Sequence, residues 1–265
     1  MPSERTKEAM GTYAISGCAT GIGAAIRKRV EADGHRVIGI DLLDAEVVAD
    51  LSTREGRQRA IEETLGACEG RLDGAVLCAG VGGHIGNNAL VASVNYFGVA
   101  DLLDGFFPAL QKGEQSSAVV ICSNSAQLMP DSVKTPLVRA MLAGDEEAAR
   151  KIADEDCAGQ AVYMLSKNAV GVSVRRRATE WGAAGVRINA VAPGPIDTPL
   201  LQGGLDTPGI GQAIRDFKVP VGRWGQPEEI AEVVAFMMGR HGGFVHGSIW
   251  YVDGGADAMT RSDAF

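Results

Sequence analysis

A chain of 265 residues, 46% hydrophobic and 22% charged, can bury the core of one large α/β domain beneath an ordinary charged surface. Its net charge of −8 argues against nucleic acid or an anionic membrane surface as the main partner. Five scattered cysteines without a C-x-x-C pair argue for reduced structural thiols in the cytoplasm. The polar segment Met1–Thr12 lacks the apolar stretch of a signal peptide, and no run approaches the ~20 apolar residues of a membrane helix.

Residues 12–16 read as a short buried strand, followed by Gly17-Cys18-Ala19-Thr20-Gly21-Ile22-Gly23 and a helical pattern over 22–32. Glycines at such a junction permit a tight turn and bring backbone N–H groups against a pyrophosphate at a helix N-terminus. Residues 35–40 read as a second strand ending at Asp41, whose carboxylate is placed to accept hydrogen bonds from ribose hydroxyls and to repel a 2′-phosphate. No Arg or Lys stands at 18–20 or 42–43 to hold such a phosphate, so NAD is the expected cofactor. Further strands are expected at 72–78, 117–123, 186–191 and 248–252, spaced by amphipathic stretches such as 57–67 and 161–181. This alternation predicts an α/β fold, a single-domain doubly wound parallel sheet (Rossmann fold) over residues 1–265. Each crossover helix must bury its apolar stripe against the sheet.

Residues 127–159 break the alternation. Leu137, Val138, Met141 and Leu142 share a helical face, and Asp145 precedes Glu146 and Glu147 as an N-cap would. A structureless loop of this length is improbable in a compact domain, so a helical insertion is expected before the helix that bears Tyr163.

Tyr163-Met164-Leu165-Ser166-Lys167 puts a phenol and an ammonium on one helical face. A tyrosine with a pKa of about 10 is a poor proton donor or acceptor at neutral pH, and a neighbouring Lys⁺ together with a positive nicotinamide would lower it. The four histidines (His35, His84, His241, His246) lack ligand spacing and are expected to be structural, and the chemistry calls for no metal. Met129, Met141 and Met164 are candidates to line an apolar cleft.

The spacing G-x-x-x-G-x-G, followed by Asp41 and by Tyr163 with Lys167, resembles the short-chain dehydrogenase/reductase family, and the likeness runs almost the whole length. Asp50-Leu51 resembles its adenine-contacting pair. Cys78-Ala79-Gly80 stands where the family has Asn-Ala-Gly, so Cys78 departs while Ala79 and Gly80 keep their place. Val94-Asn95-Tyr96-Phe97-Gly98 resembles the helix of the catalytic Asn, and Pro193-Gly194-Pro195-Ile196-Asp197-Thr198 the loop that binds the nicotinamide carboxamide. The resemblance implies Tyr163 as general acid/base and Lys167 as its partner and ribose ligand. It makes Ser123 the group that positions the carbonyl, with Ser125 a rival, and Asn95 the holder of a relay water.

Within the family, the stretches 15–23, 49–53, 93–98 and 192–201 are similar to bacterial 3α-hydroxysteroid dehydrogenases/carbonyl reductases, which also carry an insertion between Ser and Tyr. That implies NAD-dependent exchange between a secondary alcohol and a ketone, with a steroid or another bulky carbonyl compound as substrate. Another alcohol, polyol or dihydrodiol dehydrogenase is the alternative, and a non-catalytic dinucleotide-binding regulator a more distant one. For assembly, the insertion is expected to cover the helix face through which many family members form tetramers. That leaves a homodimer through the last helix and strand; the alternative makes the insertion a lid over the cleft.

Overall fold

The computed structural model describes residues 10–129 and 131–264; the first nine residues, on which the signal-peptide expectation rests in part, lie outside them. Seven strands form one parallel sheet: β1 (Thr12–Ser16), β2 (Arg36–Asp41), β3 (Val47–Val48), β4 (Gly74–Leu77), β5 (Ser117–Ile121), β6 (Arg187–Pro193) and β7 (Ile249–Val252). Their order is β3-β2-β1-β4-β5-β6-β7. All but β3 lie where the sequence pattern put them; a two-residue strand is too short to show a period. The chain reverses direction across the sheet between β1 and β4, and there the carboxyl ends of the strands open a crevice.

Helices cover both faces. On one, Ile26 and Val30 of α1 (Gly21–Ala32) and Ile230 and Val234 of α10 (Pro227–Met238) pack on Ile15, Val76, Val119 and Val191. On the other lie α2 (Arg54–Ala67), α4 (Gly98–Leu110) and α7 (Gly159–Ala183), burying Leu102, Leu103, Phe106, Val170 and Trp181 against Ala75, Ala118, Val120 and Ile188. Each large aliphatic or aromatic side chain so buried contributes roughly 1.5–3 kcal/mol. Two short helices, α8 (Pro199–Leu205) and α9 (Ile210–Asp216), lie between β6 and α10, and α11 (Ala256–Thr260) follows β7.

One segment departs from the sequence reading. The helix α3 (Asn88–Ala92), a π turn (Ser93–Phe97) and α4 run on as one 23-residue helix whose most apolar 18-residue stretch has a mean hydropathy of 1.3, long and apolar enough to cross a membrane. Asn88, Ser93, Asn95, Asp101 and Asp104 interrupt the apolar run in sequence and hide it there. In the fold, 61% of its most apolar window is buried.

The insertion folds as α5 (Pro136–Leu142) and α6 (Glu146–Asp156). Asp145 caps α6 by accepting from the Ala148 N–H at 3.0 Å. Leu137, Val138 and Met141 are fully buried, with α5 against α7 and α6 against α3, while Leu142 is only half-buried. Polar ties fix the insertion as well. The buried Arg57 of α2 donates to Asp101 of α4, to Glu146 of α6 and to the Leu51 carbonyl. Arg150 donates to the Ser93 hydroxyl at 2.7 Å, and Asn88 to the carbonyls of Ala153 and Cys157.

Candidate active site

A cleft of about 790 Å³ runs along the carboxyl ends of the strands. At its first end, Gly17 leaves β1 with φ +70° and donates its N–H to the Ile40 carbonyl at 2.8 Å. A Cβ there would stand 2.6 Å from the Ala79 nitrogen, and one on Gly23 would stand 1.9 Å from the Gly17 carbonyl oxygen, so this turn accepts only glycine. Thr20 precedes α1 without capping it, and the first turn carries no acidic residue. The N–H groups of that 12-residue helix are left to an anion.

Asp41 ends β2 half-buried; its carboxylate accepts from the Ala19 N–H at 2.9 Å and from the Leu42 N–H at 2.7 Å. It thus organises the glycine loop and presents an acidic rim to the cleft. Asp50 and Leu51 line the same wall, as do Ala79 and Gly80, which the Ser16 hydroxyl supports by accepting from the N–H groups of Cys78 and Ala79. Pro193, Gly194, Ile196 and Thr198 face them from the end of β6, with the Thr198 methyl closing on Gly21. Cys18 turns inward instead, buried with its sulfur over Gly39 of β2. A donor-rich, glycine-lined trough with carboxylates at Asp41 and Asp50 suits a dinucleotide without a 2′-phosphate.

At the other end, Ser123, Tyr163 and Lys167 meet. Ser123 follows β5, 8% exposed, its oxygen 2.9 Å from the Ser125 hydroxyl, so the two candidate serines form one pair. Burial pushes the Tyr163 phenol above the ordinary tyrosine value, and a hydrogen bond with Ser123 pulls it back down. Lys167, expected to act on the phenol, is buried and donates from Nζ to the Ile121 carbonyl at 2.9 Å. Burial lowers its pKa. The thiol of Cys78, on the cleft wall, is pushed up to about 12 by burial, which disfavours its thiolate.

Asn95 lies behind this group, fully buried in the π turn, where the Gly98 N–H reaches back five residues to the Ser93 carbonyl. Its amide is committed: Oδ1 accepts from the Val81 N–H at 2.8 Å and Nδ2 donates to the Val81 carbonyl at 3.0 Å. A Cβ on Gly80 would sit 3.2 Å from Asn95 Oδ1 and 3.4 Å from Lys167 Nζ, so Gly80 is the gap where these side chains converge.

The outer cleft is apolar, with Leu128, Met164, Leu200, Leu201, Ile214 and Phe217 along it. Met141 instead belongs to the core of the insertion. No described residue between 131 and 158 lines the cleft. Three contributors were not expected at the site. Arg57 looks like any helical arginine, and Asp253, which accepts from Asn124 at 3.3 Å and so ties the end of β7 to the loop of Ser123, like any turn aspartate. His84, expected to be structural along with the other histidines, lines the cleft. His35 and His246 do serve backbone groups, those of Gly11 and of Ile188 and Ala178.

Residues 17–257 match the family described as enoyl-(acyl carrier protein) reductase. The chain is 51% identical to the 3-alpha-hydroxysteroid dehydrogenase/carbonyl reductase of Comamonas testosteroni, over 97% of its own length and all of that protein. It is 31% identical to a coniferyl-alcohol dehydrogenase from a Pseudomonas strain, over 91% of this chain and 94% of the other. The crystal structure of a 3-alpha-hydroxysteroid dehydrogenase from a Pseudomonas species, complexed with NADH, superposes with a TM-score of 0.94 at 46% identity. It covers 96% of this chain and 100% of that one.

Proposed function

The chain belongs to the short-chain dehydrogenase/reductase family, and we propose that it is an NAD-dependent enzyme interconverting the alcohol and ketone of a 3α-hydroxysteroid or a comparably bulky apolar carbonyl compound. The observation that carries this reading is the convergence of Ser123, Tyr163 and Lys167 beside an uncapped glycine loop, at the foot of an apolar cleft. The near-complete likeness to a hydroxysteroid dehydrogenase/carbonyl reductase supports the substrate class.

NAD, when bound, supplies the hydride acceptor, and its reduced form the donor. The glycine loop and the α1 N-terminus hold its pyrophosphate, Asp41 its adenosine ribose, Asp50 and Leu51 its adenine, and the 193–198 loop its carboxamide. In the oxidative direction Tyr163 accepts the hydroxyl proton of the substrate; in the reductive direction it donates that proton to the carbonyl oxygen. Ser123 donates a hydrogen bond to the same oxygen, fixing it against the phenol. Lys167 holds ribose hydroxyls and keeps a positive charge behind Tyr163. Because the Asn95 amide is spent on Val81, its share in the proton relay falls to the main chain of the π turn, with the amide holding that turn in place.

The chain pairs as a homodimer. The insertion covers the α3 and α7 face, whereas Phe236 of α10, itself exposed, stacks on Trp250 of β7. Its five unbridged cysteines suit a reducing cytoplasm. Initial rates with NAD and a panel of alcohols test the substrate class. A 3α-hydroxysteroid is expected to give a higher kcat/KM than polyols, sugars or dihydrodiols, and a preference for any of those would overturn it.

A further inference from the structure

After β4 the chain runs Val81-Gly82-Gly83-His84, and the half-buried imidazole reaches α8, which with α9 walls the cleft as a lid. A Cβ on Gly203 would lie 2.8 Å from His84 Nε2, and one on Gly82 would lie 2.5 Å from Nδ1, closer than real Cβ contacts come. The imidazole therefore packs against both glycines in a place from which a side chain at either position would have to displace it.

Adjacent glycines at 203 and 204 weaken a short helix unless something needs the room. Gly204 makes room for Ile214 of α9, whose Cδ1 would be 2.8 Å from its Cβ. For Gly203 the three nearest atoms all belong to the His84 ring. On its other side this loop is clamped to the start of α7, since a Cβ on Gly83 would meet the Gly159 carbonyl oxygen at 2.5 Å. The loop of His84 therefore spans from the helix that bears Tyr163 to the lid that supplies the apolar wall of Leu200, Leu201 and Ile214.

We infer that His84 is a positioning residue that keys α8 and α9 onto the cleft rim and so sets the fit of the bulky substrate against Tyr163. The inference rests on the alcohol/ketone reading of the cleft and adds to it the residue that seats the lid.

His84→Ala, Gly203→Ala and the double variant test this in two ways: KM values for a 3α-hydroxysteroid and for NAD, and the rate of trypsin cleavage after Lys218, which needs no turnover. Each single variant should raise the steroid KM and the cleavage rate at least about twofold, the low end of coupling between touching residues, with the KM for NAD unchanged. Adding Gly203→Ala to His84→Ala should raise neither further. With the ring gone, the new methyl meets no atom nearer than 3.6 Å and strengthens the helix. Additive effects in the double variant, or single variants matching wild type in both readouts, overturn the inference. A wild-type protein that leaves the steroid untouched refutes the steroid reading alone, and the cleavage rates then decide the role of His84.

Discussion

In the proposed mechanism Asp41 selects the cofactor and Tyr163 transfers the proton. Asp41 has no cation beside it at 18–20 or 42–43, and it also accepts from the Ala19 N–H. Asp41→Ala should therefore lower the NAD-to-NADP ratio of kcat/KM by about tenfold or more, the worth of a hydrogen bond to a charged group; steady-state rates with both cofactors check this. Burial raises the Tyr163 pKa, so the phenolate that accepts a proton grows as pH rises, and the phenol that donates one persists through neutral pH. Alcohol oxidation should accelerate from neutral into alkaline pH while ketone reduction declines, as parallel pH–rate profiles will show. Their place on the cleft was legible because the proposed chemistry demands a fixed type at a fixed spacing. Asn95 was legible as a residue but not in its bonding, since nothing in Val94-Asn95-Tyr96 announces that Val81 takes both ends of the amide.

Among the elements, strands and crossover helices followed from periodicity because burial on two faces imposes it. The π turn did not, because one extra residue per turn leaves no compositional mark. The insertion was legible as two helices from its apolar face and the Asp145 cap, but its anchor was not. Arg57 lies 89 positions before Glu146 and is 1% exposed, bridging α2, α4 and α6. Removing the guanidinium leaves Glu146, itself 16% exposed, without its partner. Arg57→Ala should destabilise the protein by roughly 3–5 kcal/mol, the usual consequence of breaking a buried ion pair from one side. Urea unfolding measures it, and a midpoint equal to wild type would show that the insertion holds without this tie.

At the scale of the whole molecule, the proposed dimer rests on the same insertion. With the α3 and α7 face covered, the surface of Phe236 and Trp250 is the one proposed to pair. Light scattering at micromolar concentration should give the mass of two chains; the mass of four would show that the insertion leaves the second contact open. The most direct test of the whole account compares NADH formation from NAD and a 3α-hydroxysteroid by the wild-type protein and by Tyr163→Phe. Steady NADH formation by wild type and a turnover roughly 10²–10⁴-fold lower in the variant, with NAD binding unchanged, is the expected result. Near-normal turnover without the Tyr163 hydroxyl would contradict it.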